Sequence, residues 1–120
     1  MSGIDFLVDT NVIVNIKEGK SKVEQFVKYR LAVSFITEIE LLGRKNIDKN
    51  DKLVYKEMLK NVEIIGFSDE IKEACIKLKQ QYSIKTPDAI IAATSIITGI
   101  PFVSGDSDFE EIKQFDFIKV

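Results

Sequence analysis

Short apolar runs alternate with amphipathic stretches along the chain. Ile4 to Val8 is a mostly apolar run ending at Asp9-Thr10-Asn11, which reads as a buried strand followed by a helix cap. Lys22 to Tyr29 carries Val23, Phe26 and Val27 at helical spacing, and Leu31 to Ser34 reads as the next strand. Thr37 opens a helix that stops at Gly43. From Asp48 to Asn61 the spacing predicts an amphipathic helix with Leu53, Val54, Met58 and Leu59 on one face. Val62 to Phe67 is a third strand. Asp69 to Tyr82 is helical again, with Ile71, Ala74, Cys75 and Leu78 as its apolar stripe.

The next helix begins at Thr86-Pro87-Asp88, with Thr at the cap and Pro at the first helical position. Up to Thr98 it is apolar nearly all round, so it must be covered on more than one side. Pro101 to Val103 is a fourth strand, a short helix follows from Asp108, and Phe117 to Val120 is a fifth strand. Strands alternating with helices call for an α/β fold: an open, mainly parallel sheet with helices on both faces. No linker or repeat divides the sequence, so one domain is expected over residues 1–120. In such sheets the active crevice lies beyond the carboxyl ends of the strands.

Composition narrows the chemistry. The chain is 45% hydrophobic and 30% charged, the balance of an ordinary globular protein. Without histidine there is no Ser-His-Asp triad and no His-ligated zinc site. A single cysteine, Cys75, excludes an intramolecular disulfide and a CxxC metal knuckle. Carboxylates, hydroxyls, lysines and hard oxygen-bound metals remain. Met1-Ser2-Gly3-Ile4-Asp5 has no basic region and does not read as a signal peptide. The uncharged stretch from Ala89 to Gly105 is shorter than the ~20 residues of a membrane span and is broken at Gly99-Ile100-Pro101. A cytoplasmic protein with no membrane association is the expectation.

The acids fall at telling places on this frame. Asp9 ends the first strand, and Glu40 lies in the first turns of the helix after the second. Asp88 is in the first turn of the apolar helix, and Asp106 follows the fourth strand directly, with Asp108 two residues on. Each has a plain structural reading. Asp9 could cap a helix, and Thr37 with Glu40 forms a formal capping box. Asp88 could complement a helix dipole, and Asp106 and Asp108 sit in a Ser/Gly/Asp turn. Those readings are independent of one another and do not explain why the acids fall on one edge of the sheet. Carboxylates gathered so closely repel one another unless a cation neutralises them, and hard oxygen donors select Mg²⁺ or Mn²⁺.

Four segments now carry a resemblance. Phe6-Leu7-Val8-Asp9-Thr10-Asn11-Val12-Ile13 comes first, followed by Ser34-Phe35-Ile36-Thr37-Glu38-Ile39-Glu40-Leu41-Leu42-Gly43. Pro87-Asp88-Ala89-Ile90-Ile91-Ala92-Ala93 and Val103-Ser104-Gly105-Asp106-Ser107-Asp108-Phe109 complete the set. In this order the chain resembles the PIN-domain family, and within it the VapC-like toxins of bacterial type II toxin–antitoxin pairs. The resemblance extends over essentially the whole chain. It implies a three-layer α/β/α PIN-like fold around a five-stranded parallel sheet.

It also implies an endoribonuclease dependent on Mg²⁺ or Mn²⁺, leaving 5′-phosphate and 3′-hydroxyl ends. Asp9, Glu40, Asp88 and Asp106 correspond to the family's catalytic acids and metal ligands. The family varies over which acid of the last motif reaches the metal, so Asp106 is favoured and Asp108 is kept as an outer ligand. Thr10, Asn11 and Ser104 would orient waters or acids from behind; Ser104 stands where the family usually has Thr, which preserves the hydroxyl. The implied partners are an RNA substrate, a cognate antitoxin protein and a second copy of the chain in a homodimer. The apolar helix from Ala89 to Ile97 is a further, weaker reason to expect the dimer.

Net charge is −2, yet the rest of the chain is basic once the site acids are set aside. Arg44, Lys45, Lys49 and Lys52 form its densest basic segment, which a solvated helix face explains better than RNA contact does. Tyr29, Tyr55 and Tyr82 sit among helical residues and read as packing. A haloacid-dehalogenase-like phosphatase would need an Asp where Asn11 stands. A receiver domain would carry its acceptor Asp after the third strand. The competing reading from another class is a catalytically silent PIN-like module that binds RNA or protein.

Overall fold

A computed structural model describes residues 3–120, so Met1 and Ser2 of the N-terminal stretch lie outside the described residues. Five short strands, β1 (Phe6–Val8), β2 (Leu31–Ser34), β3 (Glu63–Ile65), β4 (Phe102–Ser104) and β5 (Phe117–Lys119), form one sheet in the order β3-β2-β1-β4-β5. Every pairing is parallel, as the alternating pattern requires. Six helices surround it: α1 (Thr10–Lys17), α2 (Ser21–Glu24), α3 (Phe35–Leu42), α4 (Lys49–Lys60), α5 (Asp69–Gln81) and α6 (Thr86–Thr98). Short 3-10 turns span Gln25–Lys28 and Ser107–Glu111.

Successive strand residues point to opposite faces, which builds two cores. Leu7, Ala32 and Phe102 face α5 and α6, where Ile71, Cys75, Leu78, Ile91 and Ala92 are buried. Val8, Val33 and Val103 face α1, α3 and α4, meeting Val12, Ile13, Leu41, Tyr55 and Leu59. The result is a three-layer α/β/α arrangement. Helix α6 is covered inside the chain by α5 and the sheet, and six of its residues are buried. Its apolar character therefore reports intramolecular packing and gives no support to a dimer. The helix ends at Gly99, whose φ of 73° is the left-handed cap that glycine adopts without a Cβ penalty.

Three local expectations shift. Helix α3 is capped by Ser34, whose hydroxyl accepts from the Ile36 amide at 3.1 Å, so Thr37 lies inside the helix and the Thr37–Glu40 capping box does not form. Lys85, not Thr86, is at the cap position of α6, and Pro87 occupies the second helical position, where its missing N–H would have had no partner anyway. The segment after Lys22 tightens into a 3-10 turn with three residues per turn, which keeps Val23 and Phe26 inward and turns Val27 out at 59% exposure. Among the described residues, no helix is long and apolar enough to cross a membrane.

Candidate active site

Going out from β1, the chain builds β2 and β3 on one side and later β4 and β5 on the other. The strand order therefore reverses between β1 and β4, and ligands of open parallel sheets bind at such a switch point. Asp9 leaves the end of β1 there and Ser104 ends β4 beside it. Asp9 is 7% exposed, yet both carboxylate oxygens are engaged. Oδ1 accepts from the Thr10 amide at 2.8 Å; Oδ2 accepts from the Ser104 hydroxyl at 2.7 Å and from Asn11 Nδ2 at 3.3 Å. Asn11 Oδ1 in turn accepts from the Gly105 amide at 3.0 Å. Asp9 is thus both the cap of α1 and a carboxylate held from three sides.

Glu40 reaches the same cleft from α3. The Thr10 hydroxyl is 2.6 Å from Glu40 Oε1 and 3.0 Å from Thr37 Oγ1. That hydroxyl has one proton, which the charged oxygen takes, so the buried Thr37 hydroxyl donates to Thr10 in turn. Asp9, Glu40 and Asp88 line one open cleft with Thr10, Asn11 and Asn15. Asp106 and Asp108 line an adjoining recess, which shares Asp88 with that cleft. Asp106 also caps the following turn through its Oδ1, which accepts from the Asp108 amide at 2.9 Å. Its own amide donates to Ser104 Oγ at 3.0 Å.

Electrostatics mark the cleft as short of positive charge. Burial lifts the Asp9 carboxyl from 3.8 to about 6; the bonds from Ser104 and Thr10 pull it down, while the charges of Asp88 and Glu40 push it up. Asp88 is also raised, first by burial and then by Asp106 and Glu40, with Lys85 opposing the shift. A cluster of carboxylates in which burial and neighbouring charge disfavour ionisation of Asp9 and Asp88 is the chemistry a hard divalent cation satisfies. Among the described residues no three acids close into a preformed ion cage.

The sequence pattern of the PIN domain matches residues 6–114, from β1 to the segment before β5. The chain belongs to the PIN-domain family. A chain of a toxin–antitoxin complex from Klebsiella pneumoniae is 28% identical to this PIN domain, covering 96% of it and 97% of that chain, with a TM-score of 0.82. Two structures below a quarter identity share the fold. One is VapBC from Salmonella typhimurium bound to DNA, at 19% identity, 97% and 98% coverage and a TM-score of 0.85. The other is VapBC2 from Rickettsia felis bound to a promoter DNA fragment, at 19%, 98% and 99%, with a TM-score of 0.82. No protein of curated function matches the sequence.

Two residues lining this PIN domain's cleft, Val14 and Asn15, escaped the sequence reading. Asn15 lies one turn beyond Asn11 on α1 and lines the cleft with Glu40 and Asp88. Its signal was the four-residue spacing from Asn11, which places two amides on one helix face. The basic segment contributes little to the cleft: Arg44 stacks over the Tyr55 ring at 5.6 Å, while Lys45, Lys49 and Lys52 are exposed. Tyr55 is buried as packing, Tyr82 is half-buried, and Tyr29 is 42% exposed.

Proposed function

We propose that this PIN-domain chain is a metal-dependent endoribonuclease hydrolysing RNA phosphodiester bonds, and the toxin component of a type II toxin–antitoxin pair. The observation that carries the reading is the buried Asp9 at the strand switch point, its ionisation opposed by Asp88 and Glu40 in one cleft. The likeness to a chain of a toxin–antitoxin complex supports the toxin role and a cognate antitoxin as partner.

Asp9, Glu40, Asp88 and Asp106 would hold Mg²⁺ or Mn²⁺, with Asp108 as an outer ligand. When bound, such an ion lowers the pKa of a water and withdraws charge from the scissile phosphate. The chain's own residues supply the order. Ser104, Asn11 and the Thr10 amide hold the Asp9 carboxylate against rotation, so both oxygens keep fixed directions. Thr10 fixes Glu40 in the same way, and Thr37 fixes Thr10. With Asp9 and Glu40 held in place, these two acids need not reorganise as charge develops.

Exposed apolar side chains support the homodimer of the reading. Ile39 and Phe67 are 59% and 55% exposed, and Phe35 packs edge-on against Phe67 at 6.1 Å, beside the open edge of β3. Adjoining exposed apolar groups of this kind mark interaction surfaces. Incubating the purified chain with RNA in Mg²⁺, Mn²⁺ or EDTA tests the activity. Cleavage in Mg²⁺ or Mn²⁺ that EDTA abolishes is expected, and undiminished cleavage in EDTA removes the metal mechanism.

A further inference from the structure

A recess of about 470 Å³ opens beside the cleft over Asp9 and shares Asp88 with it. It lies between the α5–α6 loop, Tyr82 to Lys85, and the turn from Asp106 to Ile112. Its volume falls within the roughly 300–1,000 Å³ of small-molecule sites. The loop wall is braced: the Tyr82 hydroxyl donates to Gln114 Oε1 at 3.0 Å, and Lys79 Nζ donates to the Ile84 carbonyl at 3.0 Å. The walls differ in chemistry. Ile84 and Ile112 are apolar, Ser83 brings a hydroxyl, and Glu111 presents an exposed carboxylate.

Beyond the acids that would hold the ion, Glu111 adds a carboxylate that repels a phosphate, whereas a flat ring bearing N–H donors suits both the apolar and the acidic sides. Resting on the reading of the chain as a ribonuclease, we infer that this recess receives the nucleobase next to the scissile phosphate. Glu111 selects bases that carry an exocyclic amino group and disfavours uracil. A carboxylate accepts from an amino group, as from cytosine N4, whereas uracil offers it a single N–H, at N3, flanked by two carbonyl oxygens whose lone pairs oppose the charge. Asp106 is less suited to the task, because its Oδ1 already accepts from the Asp108 amide and it is one of the acids that would hold the ion. Lys85, at the recess edge with Asp88, is placed to meet the phosphate joined to that base.

Cleavage of a random-sequence RNA pool, with every cut site sequenced, tests the inference. For the wild-type chain uracil should be depleted about fivefold at one position adjoining the cut. In Glu111→Gln, whose amide can donate to a uracil carbonyl, that depletion should largely disappear; an unchanged profile overturns the inference. Ser83→Trp, which fills the recess, should raise KM about tenfold, and an unaltered KM with the wild-type profile counts equally against it. A second arm requires no cleavage. Cytidine and uridine 5′-monophosphates are titrated into the wild-type chain and followed by amide NMR. Cytidine monophosphate should shift residues 82–85 and 107–112 at lower concentration than its uridine counterpart, and equal responses or shifts elsewhere overturn the base preference. If the wild-type chain cuts no RNA with either divalent ion yet shows cytidine-selective shifts, the ribonuclease reading falls and the ligand chemistry of the recess stands.

Discussion

Ser104 Oγ donates to Asp9 Oδ2 at 2.7 Å across the point where the strand order reverses, although the two residues are 95 positions apart in the chain. The same hydroxyl oxygen accepts from the Asp106 amide at 3.0 Å, so one side chain connects Asp9 in the cleft to Asp106 in the adjoining recess. Ser104→Ala should cost roughly 1.5–3 kcal/mol of stability, the range for hydrogen bonds to charged groups. It also removes a bond that holds the Asp9 carboxyl down, so the acid should titrate higher. The activity loss should therefore be greater at pH 6 than at pH 8, and Ser104→Thr should restore the wild-type pH–rate profile. A uniform loss at every pH would show that the hydroxyl acts by some other route.

Burial of Asp9 also sets a pH dependence of stability for the metal-free chain. Its folded carboxyl, at about 6, lies above the ordinary 3.8, so the folded state binds the proton more tightly than the unfolded state. That contribution is fully present below about pH 4 and is lost as pH rises through about 6, amounting to roughly 3 kcal/mol. Asp9→Asn lacks it. Denaturant titrations in EDTA should show the variant gaining on wild type between pH 4 and 7.5, with Mg²⁺ raising wild-type stability at the upper end. Parallel stability curves would exclude an elevated Asp9.

The sheet, its parallel pairing and the places of Asp9, Asp88 and Asp106 were legible because each follows from an apolar run and its terminus. Glu40 lies in the last turn of α3 and not its first turns, because Ser34 starts that helix earlier than Thr37. Side-chain direction on the helices was less legible. On α4, apolar spacing placed Leu53 on the inner face, yet it is 61% exposed, while Tyr55, read as packing, is 2% exposed. Tyr55 reads as amphipathic in sequence, but Lys17 and Arg44 lie over its ring at 5.5 and 5.6 Å and help to cover it. The cap of α3 was missed for a related reason. Ser34 and Thr37 are both good caps, and only the tertiary bond from Thr37 to Thr10 shows why the threonine lies inside the helix.

Gly43 makes the end of α3 sensitive to a single methyl group. Its φ of −92° is open to any residue, so conformation alone does not require glycine. Close approach does: a Cβ built there would lie 2.5 Å from the Ile39 carbonyl oxygen, to which the Gly43 amide donates at 2.7 Å. Gly43→Ala should force the last turn to open, costing about 1–3 kcal/mol, the usual range for overpacking. Because Glu40 lies in that turn, activity should fall with stability. An unshifted denaturation midpoint would mean that the helix end yields without strain.

Glu38 and Glu40 separate the catalytic reading of α3 from the structural one. Successive helical residues turn by about 100°, so the two glutamates are about 200° apart and cannot share the cleft. Glu40 lines it and receives the Thr10 hydroxyl at 2.6 Å; Glu38, in the first turn, is half-buried and is not among the residues lining the cleft. Because Ser34 caps the helix, neither glutamate is needed to start it. Glu40→Gln keeps an oxygen for Thr10 and should fold normally, yet lose the charge that a divalent ion requires. Its activity should fall by more than the roughly 100-fold typical of losing a supporting residue at a metal site. Glu38→Gln should stay near wild type in activity, with at most a few tenths of a kcal/mol lost from its interaction with the helix dipole. Circular dichroism and denaturant midpoints matched to wild type, measured alongside RNA cleavage, make the comparison decisive. An inactive Glu38→Gln beside an active Glu40→Gln would reverse the assignment of the cleft-facing side of α3.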